Sequence, residues 1–251
     1  MGAMMPRAAG RGRPVQASRR ATAPAGGGRR FFAPIGVPAP GGMLRELAAV
    51  GDDLSRMKRA FAGLDYSQVE TPANPSVAEI RDMLGVQLDQ SRLGHADALV
   101  LYFSGHGTVV GGDHYLCARG FARDDVATTG IKTRDLIELV VRRRSRPGRL
   151  WLILDCCQAG GVIEEGVLAT IAATGADAFM LAAAGSWDST QDGMFSRAFC
   201  AAVREITRAG QGLSGSLDAL TQDINRRCSR GLRAIQATVS RARFDLLDAP
   251  R

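Results

Sequence analysis

At 251 residues, 45% hydrophobic and 23% charged, the chain is sized for one large domain or two small ones and can bury a sizeable core. No apolar run approaches the roughly 20 residues that span a bilayer, no secretory apolar block opens the chain, and five cysteines are too few and odd in number for a disulfide scaffold. These features predict a protein of the reducing cytoplasm. The net charge of +7 invites a nucleic-acid reading until it is located. Seven arginines and no acid fall in residues 1–30, so the other 25 basic residues balance the 25 acidic ones. The basic character belongs to a tail, and nucleic-acid binding by the body is not expected.

Residues 1–29, rich in Ala, Gly, Pro and Arg and without apolar periodicity, read as a disordered tail. "FFAPIGV" (31–37) is a short strand, with Pro34 pointing to an edge or an irregular one. "DDLSRMKRAFAGL" (52–64) places Leu54, Met57, Phe61 and Leu64 on one helical face. "YSQVE" (66–70) is a strand, and 76–92 is a helix capped by Ser76, with Glu79 three residues on. "DALVLYFSGHG" is a buried strand running into glycines, and the Gly-Gly of "HGTVVGGDHYLCARG" signals a hairpin.

A helix is predicted over 133–144, ending in the basic cluster "RRRSRPGR", which reads as a solvated helix end and loop. "RLWLILDCC" (149–157) and "DAFMLAAAG" (177–185) are further buried strands. Helices at about 195–208 and 214–228 and a strand over 234–240 complete the chain. Strands apolar on both faces, alternating with helices, imply an α/β fold: a mostly parallel central sheet with helices on both faces.

Chemistry in such sheets sits beyond the carboxyl ends of the strands. Two polar constellations fall there, "SGHG" after one central strand and "DCCQAGG" after the next. His106 lies between Gly105 and Gly107, and Cys157 follows 51 residues later. A thiol needs a base to raise its thiolate fraction, and an imidazole supplies one. Backbone N–H groups around Gly107 and Cys157 are candidates to face a developing oxyanion. Cys156 is expected to pack sideways into the sheet, because strand neighbours point to opposite faces. No C-x-x-C or His/Cys spacing accompanies the pair, so no metal site is expected. His95 and His114 read as a loop and a hairpin residue, and Trp187 as either a subsite wall or a cover for the sheet end.

"LVLYFSGHG" followed by "LWLILDCCQAGG" resembles the caspase and metacaspase superfamily of cysteine peptidases. Where metacaspases and bacterial caspase-like proteins usually read D-S-C-H-S-G, this chain reads D-C-C-Q-A-G, which sets Asp155 at the Asp, Cys156 at the Ser, Cys157 at the nucleophile and Gly160 at the last Gly. "VGDDLSRMKRAF", "TTGIKTRDLIELV" and "LAAAGSWDSTQDGMFSRAFCAAV" extend the similarity over nearly all of 30–251, the expected peptidase domain.

The resemblance implies a caspase-like three-layer sandwich and a cysteine endopeptidase with His106 and Cys157 as its dyad and the Gly107 and Cys157 N–H groups as its oxyanion hole. It also implies cleavage after Arg, then Lys, with Asp155 and Asp53 at the acidic S1 positions and Asp188 assisting them or binding a cation. A buried carboxylate needs a partner, and a guanidinium is a good bidentate one. No organic cofactor is implied, and calcium dependence stays open, since no calcium-loop pattern is present. The expected partners are peptides or proteins with Arg or Lys at P1 and an activating partner or upstream regulator; no membrane is involved. A defence or cell-death role follows loosely. The contrasting expectation is a catalytically silent caspase-fold interaction module, and a third is nucleic-acid association through the tail. No Lys or Arg lies between Leu150 and Ser196, so an Arg/Lys-specific enzyme cannot cut itself in the 162–176 linker.

Overall fold

Strands with apolar side chains on both faces need cover on both sides, and that requirement sets the architecture. The computed structural model describes residues 28–142, 148–159, 169, 171–173, 175, 177–185, 193–208, 217–228 and 232–239. In chain order they form β1 (Arg30–Gly36), α1 (Val50–Ala62), β2 (Ser67–Gln68), α2 (Val77–Ser91), β3 (Ala98–Ser104), β4 (Gly107–Val110) and β5 (Asp113–Cys117). There follow a 3-10 turn (Arg123–Asp125), α3 (Val126–Thr129), β6 (Gly130–Lys132), α4 (Thr133–Val141) and β7 (Arg149–Asp155). β8 (Asp177–Gly185), α5 (Met194–Arg208), α6 (Leu217–Arg227) and β9 (Leu232–Val239) end the series.

The main sheet runs β2-β1-β3-β7-β8-β9, parallel except for β9, which is antiparallel to β8. Helices flank it, giving the α/β sandwich expected from the sequence. Alternation along each strand divides its side chains between two cores. Leu99, Leu101 and Phe103 of β3, with Leu150, Leu152 and Leu154 of β7, share one core with Ile80, Leu84 and Leu88 of α2 and Leu136, Ile137 and Val140 of α4. Val100, Tyr102, Trp151, Ile153, Phe179 and Leu181 join the other, against Met57 and Phe61 of α1 and Phe195 and Phe199 of α5. Phe32 stacks on Phe61 with ring centroids 4.3 Å apart, and Trp151 meets Phe179 at 4.4 Å. Each large side chain buried this way contributes about 1.5–3 kcal/mol, so slipping a strand by one residue would forfeit many such terms at once.

The structure differs from the sequence reading in three local places. β1 is not an edge strand, since β2 lies outside it; but β2 pairs only with Phe31 and Phe32, so among the described residues no strand faces Pro34 on that side. The 66–70 strand shrinks to two residues, although the Val69 N–H still donates to the Phe32 carbonyl at 2.8 Å and Tyr66 and Val69 are buried. The hairpin after β3 gains a third strand, β6, making a small antiparallel sheet β4-β5-β6 that the sequence did not announce. The α2 cap is as expected: Ser76 Oγ accepts from the Glu79 N–H, and the Glu79 carboxylate accepts from the Ser76 N–H at 2.7 Å. Among the described residues no helix is long and apolar enough to cross a membrane.

Candidate active site

β3 and β7 run side by side in parallel, with Ser104 opposite Asp155 at their carboxyl ends. His106 and Cys157 each come two residues beyond that level, so the register carries both into the same rim of the sheet. The crossing is tied by the Gly105 N–H, which donates to the Asp155 carbonyl at 3.4 Å. Cys157 is exposed, whereas Cys117, Cys156 and Cys200 are buried and Cys228 is half-buried; all five are free thiols. Burial, followed by the neighbouring Cys157 and Asp155, pushes the Cys156 thiol well above its ordinary range, so it packs as a small hydrophobe, as expected.

Nε2 of His106 lies 2.8 Å from the carbonyl oxygen of Arg45, in the loop between β1 and α1. A carbonyl only accepts, so this contact places the proton on Nε2 and leaves the Nδ1 lone pair to receive one. The histidine's own carbonyl accepts from the Cys117 N–H at 2.9 Å, which fixes its backbone to the end of β5.

The turn that carries Cys157 is unusual. Gln158 has φ +57°, the left-handed region that side-chain-bearing residues enter at a cost of about 1–2 kcal/mol. Its side chain helps hold that shape, since Oε1 accepts from the Val109 N–H of β4 at 2.8 Å. Gly107 has no side chain for a reason of space. A Cβ there would stand 2.5 Å from the Cys157 carbonyl oxygen, 2.8 Å from Nε2 of His114 and 3.0 Å from Sγ of Cys156.

His114, expected as a hairpin residue, lies in β5 of the β4-β5 hairpin. Period-2 alternation in "DHYLC" turns His114 and Leu116 inward together, and only 4% of His114 remains exposed. It lies beside Cys157, but its Nε2 meets the backbone carbonyl, at 3.3 Å, while Nδ1 meets Thr133 Oγ1 at 2.8 Å. Burial holds its pKa below the usual imidazole range, so the ring is neutral.

The two described carboxylates expected at the substrate's basic side chain share one side of the sheet. Asp155 is half-buried and accepts from the Tyr102 hydroxyl at 2.9 Å. Burial, reinforced by Asp155 and then Asp53, pushes the Tyr102 phenol well above its ordinary range, so it stays a donor. Asp53, 4% exposed, already has partners: Ser196 Oγ donates at 2.5 Å and Arg56 Nη1 at 2.9 Å, and Arg56 also reaches Ser196 Oγ at 2.6 Å. Desolvation raises the Asp53 pKa although Ser196 and Arg56 oppose it. Arg56 lies one turn on from Asp53 in α1, whereas Ser196 meets it only in the fold. Gly160, Trp187 and Asp188 lie outside the described residues, as does most of the linker. Among the described residues no cluster of three or more His, Cys, Asp or Glu could hold a metal ion.

Residues 35–244 match the family model described as Peptidase_C14, the caspase domain. The chain belongs to the caspase-domain family. A protein of Geobacter sulfurreducens, GSU0716, has a similar structure at a TM-score of 0.57 and 18% identity, over 84% of this chain and 93% of that one. Caspase-1 from Spodoptera frugiperda matches at a TM-score of 0.58 and 13% identity, over 86% of this chain and 89% of its own. At those identities the structures share the caspase fold and no more. No curated protein matches the chain.

Proposed function

We propose that this caspase-domain protein is a cysteine endopeptidase that cleaves after basic residues, Arg first and Lys second, under the control of an activating partner. The observation that supports the reading most is the Ser104–Asp155 register, which carries a histidine with a free Nδ1 lone pair and an exposed cysteine to one rim. Nδ1 of His106 takes the thiol proton, and Cys157 Sγ attacks the scissile carbonyl. The Gly107 and Cys157 N–H groups receive the oxyanion, and His106 returns the proton to the leaving amine before water hydrolyses the thioester.

Asp155 is the carboxylate assigned to the P1 cation, oriented by Tyr102. Asp53 adds negative charge to that wall, with Arg56 competing for it, and Asp188 is assigned an assisting role by the family resemblance alone. Five free thiols suit a reducing, cytoplasmic setting, in which a defence or cell-death protease would act.

A peptidyl-Arg acyloxymethyl ketone tests the assignment of the nucleophile. Intact mass and peptide mapping should show one adduct, on Cys157, absent from Cys157→Ala and strongly slowed in His106→Ala. An adduct on another residue, or equal labelling by an Asp-directed reagent, overturns it.

A further inference from the structure

The nucleophile turn needs something to hold it, and the hairpin supplies a buried group for the purpose. The Cys157 carbonyl belongs to the peptide plane joining Cys157 to Gln158. Fixing that oxygen fixes ψ of Cys157 and φ of Gln158 together, and Gln158 is in the left-handed region. Nε2 of His114 lies 3.3 Å from this oxygen, just past the usual N–H···O range, with Gly107 leaving room between.

The chemistry of the partners decides which nitrogen carries the proton. The carbonyl accepts only, so Nε2 must donate; Nδ1 then accepts from the buried Thr133 hydroxyl at the start of α4. The nearest charges along the strand, Asp113 and the Lys132 that pairs with Tyr115, alternate to the other face and pair with each other at 2.6 Å. The Cys156 thiol and Cys157 lie across Gly107. No carboxylate among the described residues makes a hydrogen bond to His114.

We infer that His114 is a positioning residue: as a neutral Nε2–H imidazole locked by Thr133, it holds the Cys157 carbonyl and so sets the aim of the thiol, while taking no proton from it. The chain therefore carries two histidines near one cysteine with divided labour. His106 addresses the side chain from an accessible loop, and His114 addresses the backbone from the core.

The inference rests on the peptidase reading for its kinetic arm and stands without it for its spectroscopic arm. In the full-length protein, imidazole 15N–1H correlations should show His114 protonated on Nε2 only at neutral pH. An Nδ1–H tautomer, or a charged ring at neutral pH, overturns the inference whatever the activity. On an Arg peptide, His114→Phe should lower kcat by about 10–100-fold with KM within about threefold, the size expected of misplacement and not of a lost base. His114→Gln, which keeps an N–H donor, should recover most of the loss with the acid limb of the pH–rate profile in place. A Gln variant as inactive as the Phe variant, or one lacking that limb, would make His114 a proton acceptor; full kcat in the Phe variant would leave it without a role. If the Phe variant does not fold, the Gln variant and the tautomer decide. Turnover surviving in Cys157→Ala would sink the peptidase reading instead, leaving the tautomer result to stand.

Discussion

Ser104 of β3 and Asp155 of β7 are register partners, and that pairing fixes the separation of the two loops that follow them. Neither residue is a candidate nucleophile or base. Their pairing is set by burial far from the site, since Leu99 opposite Leu150 and Leu101 opposite Leu152 belong to one core. A register slip would turn those side chains to the wrong face and part the loops together. The site therefore inherits its precision from the strands, and His106 gains its orientation from Arg45 and its tautomer from the same contact.

His106→Gln should lower kcat on an Arg peptide by about 10²–10⁴-fold, the usual worth of a positioned general base. Circular dichroism should show an unchanged fold, because the ring lies at the rim and not in the core. A loss below tenfold would remove His106 from the reaction.

Gly107→Ala should disable turnover more than it destabilises the fold. The added carbon meets backbone oxygen 2.5 Å away and cannot be relieved by rotating a flexible side chain, so β4 must move off the Cys157 turn. Kinetics and thermal melts on the same preparation check this; wild-type kcat would contradict it.

Tyr102→Phe removes the 2.9 Å hydrogen bond that orients Asp155. A hydrogen bond to a charged group is worth about 1.5–3 kcal/mol, so kcat/KM on Arg peptides should fall about 10–100-fold. The fall should be mainly in KM, and smaller for a peptide with a neutral P1. An equal loss on both would detach Asp155 from P1 recognition.

Acid should weaken the fold through His114. Its folded pKa lies below the ordinary value of 6.5, so the unfolded chain takes up the proton first. The stability it contributes is full above 6.5 and drains away as pH falls from there toward the depressed folded value. Chemical denaturation between about pH 7.5 and 5.5 should show that slope in the wild type and a shallower one in His114→Gln. Equal slopes would mean that the ring charges as easily folded as unfolded.

The linker should stay intact in an Arg/Lys-specific enzyme, since no basic residue lies between Leu150 and Ser196. Mass spectrometry of purified, incubated protein should find cuts only elsewhere, the Arg-rich tail included. An activating cut within 162–176 would contradict the specificity.

The strands and the "SGHG" and "DCCQAGG" turns were legible because they rest on local pattern: continuous burial, glycine punctuation and the end of a strand. What escaped depends on meetings between distant segments. Arg45 lends only a backbone carbonyl, which any residue type could supply. His114 was placed in the hairpin, but its contacts with Thr133 and the Cys157 carbonyl join segments far apart in the chain. Asp53 was placed at an S1 position by resemblance, and its partner Ser196, far along the chain, could not be foreseen, whereas Arg56 lies only one turn on. β6 is three residues long and carries too little pattern to register.

The central claim is tested most directly by hydrolysis of matched fluorogenic peptides ending in Arg, Lys or Asp, by wild type and Cys157→Ala. Turnover should be fastest for Arg, slower for Lys and absent for Asp, and Cys157→Ala should abolish it. Turnover of the Asp peptide alone, or activity that survives in Cys157→Ala, would contradict the account.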